Sequence, residues 1–93
     1  MIIKTALLTI HLSAVHSLKE KRGILNSVLN RTRNKFNVAI AEVGSQDLWQ
    51  KAEVGMAVVS TSTSHAHQQV DQIIRFIEAE PRLEIVAVET ELL

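Results

Sequence analysis

The histidines are the first residues to consider for chemistry, because the 93-residue sequence contains four of them and no cysteine. The lack of cysteine excludes disulfides, thiolate metal sites and thiol nucleophiles. On a helix, His65 and His67 would point about 200° apart and could not share a metal ion. His11 and His16 flank a predicted turn, but no acid within three residues of either could orient it for catalysis. We therefore expect no catalytic residues, no metal and no cofactor, and hence no enzyme.

Basic residues are concentrated in the first half of the chain. Residues 1–41 carry seven Lys or Arg and one acid, whereas residues 42–93 carry three basic residues and nine acids. The formal net charge of zero excludes a globally basic nucleic-acid binder but not a local basic patch. Phosphates could be bound by five basic residues of the predicted first helix: Lys19, Lys21, Arg22, Arg31 and Arg33. The alternative is a solvated helix face balanced by acids of the neighbouring helix.

A second candidate contact lies in the predicted connection between the second and third strands, at Asp47, Trp49 and Lys51. A tryptophan in a loop either folds back onto the domain as an anchor or stays exposed as a binding hot spot. The sequence has only three aromatic residues, so a small core would gain much from burying this one. We therefore favour the anchor over the hot spot.

Hydrophobic periodicity predicts six elements in the order βαββαβ. Ser17 and Glu20 form a capping box that starts the first helix, and Pro81 stops the second. The predicted strands cover 2–12, 38–43, 54–62 and 83–92, and the predicted helices cover 18–35 and 65–79. This order predicts one ferredoxin-like domain over residues 1–93, an α+β sandwich whose two helices cover one face of a four-stranded antiparallel sheet.

The other face of this sheet is expected to be open. RNA-recognition motifs stack bases on aromatic residues of that face, but no aromatic residue falls in a predicted strand, so that mode is excluded. An apolar patch is expected there instead, formed by Ile3 and Leu7 with Val54, Met56 and Val58 or their neighbours. Since monomers rarely expose large apolar patches, we expect a homodimer through the open sheet face.

Three motifs resemble those of the YlxP-like family, small bacterial proteins classed as a domain of unknown function, and the resemblance covers nearly the whole chain. They are SLKEKR at 17–22, FNVAIAEV at 36–43 and DLWQKA at 47–52. The resemblance implies a ferredoxin-like fold and no agreed catalytic residues. Genes of that family tend to lie near those for translation initiation factor two and ribosome-binding factor A, which implies a ribosome or RNA-maturation context.

Together, these observations predict a non-enzymatic binding protein whose partner is ribosomal RNA or the small ribosomal subunit. The alternative is a dimeric regulatory module that binds a protein partner, or a small anion or metabolite at the dimer interface near 13–17 and 60–64. Residues 1–12 alternate like a strand rather than forming the apolar core of a signal peptide, and no stretch approaches the length of a membrane span. The expected location is therefore the cytoplasm.

Overall fold

The computed structural model describes residues 1–93 and has six elements in the predicted order. The sheet order is β2-β3-β1-β4, with every neighbouring pair antiparallel. Both helices pack on one face of this sheet, as predicted for the ferredoxin-like α+β fold. The elements are β1 (Ile2–His11), α1 (Leu18–Lys35), β2 (Ala39–Gly44), β3 (Lys51–Ser60), α2 (Thr63–Glu78) and β4 (Glu84–Leu92).

Side chains alternate between the core and the open face along the two central strands. In β1, Leu8 and Ile10 are buried under the helices, whereas Ile3 and Leu7 are half-buried and belong to the other face. The prediction named Val54, Met56 and Val58 or their neighbours for the open patch, and the structure selects the neighbours, because Val54, Met56 and Val58 are buried in the core. Their neighbours Gly55, Ala57 and Val59 lie on the open face instead.

The starts of β3 and α2 differ from the prediction for identifiable reasons. β3 begins at Lys51, three residues early, because residues 51–53 pair with residues 9–11 of β1. α2 begins at Thr63 because the Ser62 hydroxyl caps it by accepting from the His65 amide. At the start of α1, Ser17 accepts from the Glu20 amide as expected, while the Glu20 carboxylate accepts from the His16 amide.

Lys21 of α1 is fully buried and ties this helix to the loop between β2 and β3. Its ammonium donates to the carbonyls of Ser45 (2.7 Å) and Leu48 (2.6 Å). The same nitrogen lies 2.9 Å from Oε2 of Glu42, and the Lys21 side chain is 0 % exposed. A buried charge of this kind is tolerated only when it is paired and hydrogen-bonded. The prediction that Lys21 binds phosphate is therefore wrong, and its role is structural.

Gln50 fixes the same loop from its other end. Its side-chain amide donates to the carbonyls of Ser13 and Val15, at 3.1 Å each. Its own carbonyl accepts from the Leu12 amide at 2.9 Å. The β2–β3 loop is thus held by α1, through Lys21, at Ser45 and Leu48, and by the β1–α1 loop at Gln50.

Glu80, just after α2, connects the two helices through arginine. Its carboxylate accepts from Arg31 of α1 at 2.9 Å and from Arg82 at 2.7 and 2.9 Å. The side-chain hydrogen bonds from Arg82 are the main reason that the pKa of Glu80 falls from its ordinary 4.5 to about 2. This carboxylate therefore favours the folded state whenever it is ionised.

We predict that Lys21→Met destabilises the fold by about 3–5 kcal/mol, because it leaves Glu42 and two loop carbonyls without their buried partner. Adding Glu42→Gln should recover part of this loss, since the uncompensated charge is then removed. The measurement is urea unfolding, with Lys19→Met on the exposed side of α1 as the matched control. Equal midpoints for the Lys21 and Lys19 variants would contradict the structural role of Lys21.

We predict that Glu80→Gln lowers the free energy of unfolding at pH 7 by about 1–2 kcal/mol, a moderate value because both arginine partners are half exposed. The folded-state pKa is depressed, so this contribution is complete above pH 4.5 and is lost as the pH falls towards 2. Urea unfolding between pH 7 and pH 2.5 should show the difference from wild type shrinking. The exposed Glu78→Gln is the control, and a pH-independent difference would refute the assignment.

Candidate functional site

Only two of the five basic residues predicted on α1 are exposed and without an internal partner. Arg31 binds Glu80, and Arg33 donates to the Asn30 side chain (3.0 Å) and to the Ile40 carbonyl (2.6 Å). Lys19 and Arg22 are exposed and form no ion pair. The structure therefore leaves Lys19 and Arg22, near the start of α1, without an internal partner, whereas Arg33 has only neutral partners and keeps an unpaired charge at the β2 edge.

Trp49 lies in the loop between β2 and β3 with its side chain 51 % exposed. The favoured interpretation, an anchor folded into the core, is wrong. The loop is anchored by main-chain contacts instead, because Lys21 binds the Leu48 carbonyl and Gln50 binds the β1–α1 loop. The backbone on both sides of Trp49 is consequently held in place, and the indole is left open to solvent.

A cavity of about 620 Å³ forms around this ring, and we call it the Trp49 pocket. It brings the three predicted loop residues together with two histidines that are more than thirty residues away in the sequence. The cause is strand pairing, since His11 at the end of β1 lies opposite Lys51 at the start of β3. The pocket is lined by His11, His16, Asp47, Leu48, Trp49, Gln50 and Lys51.

The histidines were missed as members of a binding site when only neighbours along the sequence were considered. The predicted topology already indicated that they could join the loop. The βαββαβ order places β1 beside β3, and because the two strands are antiparallel, the end of β1 lies next to the start of β3. The exact register was needed to place Lys51 opposite His11, and the predicted strand began three residues too late to give it.

The Trp49 pocket offers stacking and hydrogen bonding rather than metal coordination. Nowhere in the chain do three or more histidine, aspartate or glutamate side chains come close enough to hold a metal ion. The indole presents a flat apolar face, Lys51 supplies a cationic donor and Asp47 supplies an acceptor. Each imidazole can donate or accept. Such a set of groups fits a flat heteroaromatic ring that carries a nearby negative charge.

The two serine-rich segments of the small-molecule hypothesis do not meet within one chain. Residues 13–17 follow the end of β1, whereas residues 60–64 follow the end of β3. Because β1 and β3 are antiparallel, these two segments lie at opposite ends of the sheet along the strand direction. Ser60 is also engaged internally, since its hydroxyl bonds the His65 ring (2.9 Å) and accepts from the Ser62 amide (3.2 Å). One chain therefore does not bring the two segments together, and the expected ligand site at a dimer interface would have to combine segments from two copies.

Comparison with known proteins identifies the family. Residues 3–90 match the family described as "Protein of unknown function (DUF503)". The uncharacterized protein YlxP of Bacillus subtilis (strain 168) is 43% identical over 75 residues, which are 81% of this chain and 82% of that protein. No helix of the structure is long and apolar enough to cross a membrane.

A solved structure with a similar fold is the de novo designed protein Foldit4. It superposes with a TM-score of 0.53 at 12% identity, covering 100% of this chain and 97% of that one. At that identity the similarity concerns the fold alone. The family match and the bacterial relative, by contrast, confirm the resemblance drawn from the sequence motifs, and the chain belongs to the DUF503 family, the YlxP-like small bacterial proteins of unknown function.

Proposed function

We propose that this protein is a non-enzymatic RNA-binding protein that holds a single-stranded segment of RNA in the Trp49 pocket. The observation that carries the proposal is the half-exposed indole beside Lys51, His11 and His16, on a loop whose backbone is fixed from within. The ribosome or RNA-maturation context implied by the family resemblance supplies the expected source of that RNA, ribosomal RNA of the small subunit or its precursor.

Stacking on Trp49 is the main contribution expected. A base stacked on an exposed aromatic side chain contributes about 1–3 kcal/mol, and every base has a face that can stack. A loop that is already ordered loses little conformational entropy on binding. The contacts of Lys21 and Gln50 with this loop therefore support the proposal, because they supply that order before RNA arrives.

Polar groups around the ring fit the rest of a nucleotide. The Lys51 ammonium suits a phosphate, and the Asp47 carboxylate can accept from a base amino group or from the ribose 2′-hydroxyl. Lys19 and Arg22 add two exposed cations within one helical turn of Lys21, which itself contacts the loop. They offer further phosphate contacts at the start of α1, although Lys19 points about 200° away from Lys21 around the helix.

We predict that Trp49→Ala lowers the affinity for a fluorescein-labelled single-stranded RNA about 10-fold or more, because the stacking platform is lost. The measurement is fluorescence anisotropy at low salt, accompanied by quenching of the single tryptophan in wild type. Val86→Ala on β4 is a suitable control, since that side chain is 54% exposed and lies outside the pocket. Equal affinities for wild type and Trp49→Ala would refute the proposal.

We predict that Lys51→Gln, and Lys19→Gln with Arg22→Gln, each weaken RNA binding and reduce its salt dependence. Each lost phosphate contact should lower the slope of log affinity against log salt by about 0.7 for a single strand. Arg31→Gln is the matched control on the same helix, because its guanidinium already binds Glu80. An unchanged slope in the Lys51 variant would remove the phosphate role from the pocket.

Co-sedimentation with ribosomal subunits at low and high salt tests the expected context. Salt-sensitive migration with the small subunit, lost in Trp49→Ala, is the expected result. A thermal-shift screen against metabolites tests the alternative of a small-molecule regulatory module. A positive shift there, together with no binding to RNA, would favour that alternative.

A further inference from the structure

The face of the sheet that no helix covers is shaped as a groove of about 890 Å³. Its floor consists of small side chains or none, at Ala41, Gly55 and Ala57. Larger apolar side chains border it, and Val43 and Val59 are 59% and 58% exposed. An apolar face of this kind is unfavourable in water and marks an interaction surface.

Opposite charges lie on the two rims of this groove, in one row across the sheet. Arg33 lines the β2 rim, where it donates to the Ile40 carbonyl. The row crosses all four strands through paired residues: Ile40 of β2 pairs with Met56 of β3, which pairs with Ala6 of β1, which pairs with Thr90 of β4. Thr90 is flanked by Glu89 and Glu91, which line the opposite rim. The face is therefore basic at one edge, apolar in the middle and acidic at the other edge.

We propose that this face binds a second copy of the same chain, through a twofold axis that runs parallel to the strands. Rotation about this axis places the β2 edge of one protomer over the β4 edge of the other. Positions along the strand direction do not change, so residues of the same cross-strand row face each other. Arg33 of one protomer then lies over the partner's Glu89 and the partner's Glu91, and symmetry repeats the contact. An axis across the strands would instead place the two β4 edges together, with acids facing acids.

The area available matches a modest but specific dimer. β1 and β3 have ten residues each, β4 has nine and β2 has six. At about 3.4 Å per residue and 4.8 Å between strands, the sheet face covers roughly 600 Å² per protomer. Two copies would bury about 1,200 Å², the lower bound for stable specific interfaces.

This arrangement also fixes the positions of the two Trp49 pockets. An axis parallel to the strands keeps the end of β1 and the start of β3 at the same end of both protomers. The two pockets then open at one end of the dimer and could bind two segments of a single RNA strand. This consequence rests on the proposed function, whereas the dimer itself does not.

The test is sedimentation equilibrium of the full chain over low to high micromolar concentrations. Wild type should be a dimer that dissociates on dilution. Glu89→Arg combined with Glu91→Arg should raise the dimer dissociation constant about tenfold or more, and adding Arg33→Glu should restore it. Glu78→Arg, on the exposed surface of α2, is the control and should change nothing.

The Ala57→Arg variant tests the face independently of the axis, because it fills the groove floor with a charged side chain that points away from the core. It should produce a folded monomer, as judged by circular dichroism and sedimentation. A monomeric wild type, or a dimer that survives this substitution, would overturn the proposal. An unchanged dissociation constant after the Glu89 and Glu91 reversal would overturn the axis, since acids that face acids across two β4 edges become arginines that face arginines. RNA binding by the Ala57→Arg monomer, measured by anisotropy, keeps the two proposals distinguishable.

Discussion

The buried ammonium of Lys21 is the interaction on which the candidate site depends. Small proteins usually hold a loop by burying its largest apolar side chain. Here a charged group reaches out of α1 and binds the loop by its main-chain carbonyls, at Ser45 and Leu48. Ser45 has a φ of 56°, in the left-handed region that non-glycine residues rarely adopt. Because the backbone is held in this way, Trp49 need not be buried, and its indole remains available at the surface.

The burial of Lys21 was foreseeable from its position but not from its residue type. Lys21 stands three residues after Leu18 and four before Leu25, so it belongs to the face of α1 that meets the sheet. A lysine on the core face of a helix needs a compensating partner, and that partner came from β2 and its following loop, 21 or more residues further along the chain. No local pattern reveals such a partner. The same reasoning applies to Trp49, whose exposure follows from contacts made by Lys21 and Gln50 and not from its own sequence neighbours.

The architecture could be predicted from the sequence because it follows from local alternation and capping. Core and open faces of β1 were assigned correctly, since its alternation is unbroken from Lys4 to Ile10. The faces of β3 were left undecided, because the prediction named Val54, Met56 and Val58 or their neighbours for the open patch. Those residues lie at the positions that oppose Leu8, Ala6 and Lys4 of β1, all of which are buried. Strand parity is therefore a better guide to a face than side-chain size.

A helix can carry more basic residues in its sequence than it has cations free to bind a partner, because some of them are engaged by groups of the same chain. Of the basic residues on α1, Lys21, Arg31 and Arg33 are occupied by internal partners, and the Lys35 ammonium lies 5.0 Å from the Phe76 ring centre. The exposed cations that remain, Lys19 and Arg22, stand at the end of α1 nearest the Trp49 loop.

The open sheet face carries the opposite sign along β4, where Glu84, Glu89 and Glu91 alternate with residues of the other face. In the proposed RNA-binding mode, a strand that leaves the Trp49 pocket would be repelled by the acids of β4 and attracted towards α1. This division of charge supports separate uses for the two surfaces, with RNA at the loop and a second protein copy on the sheet.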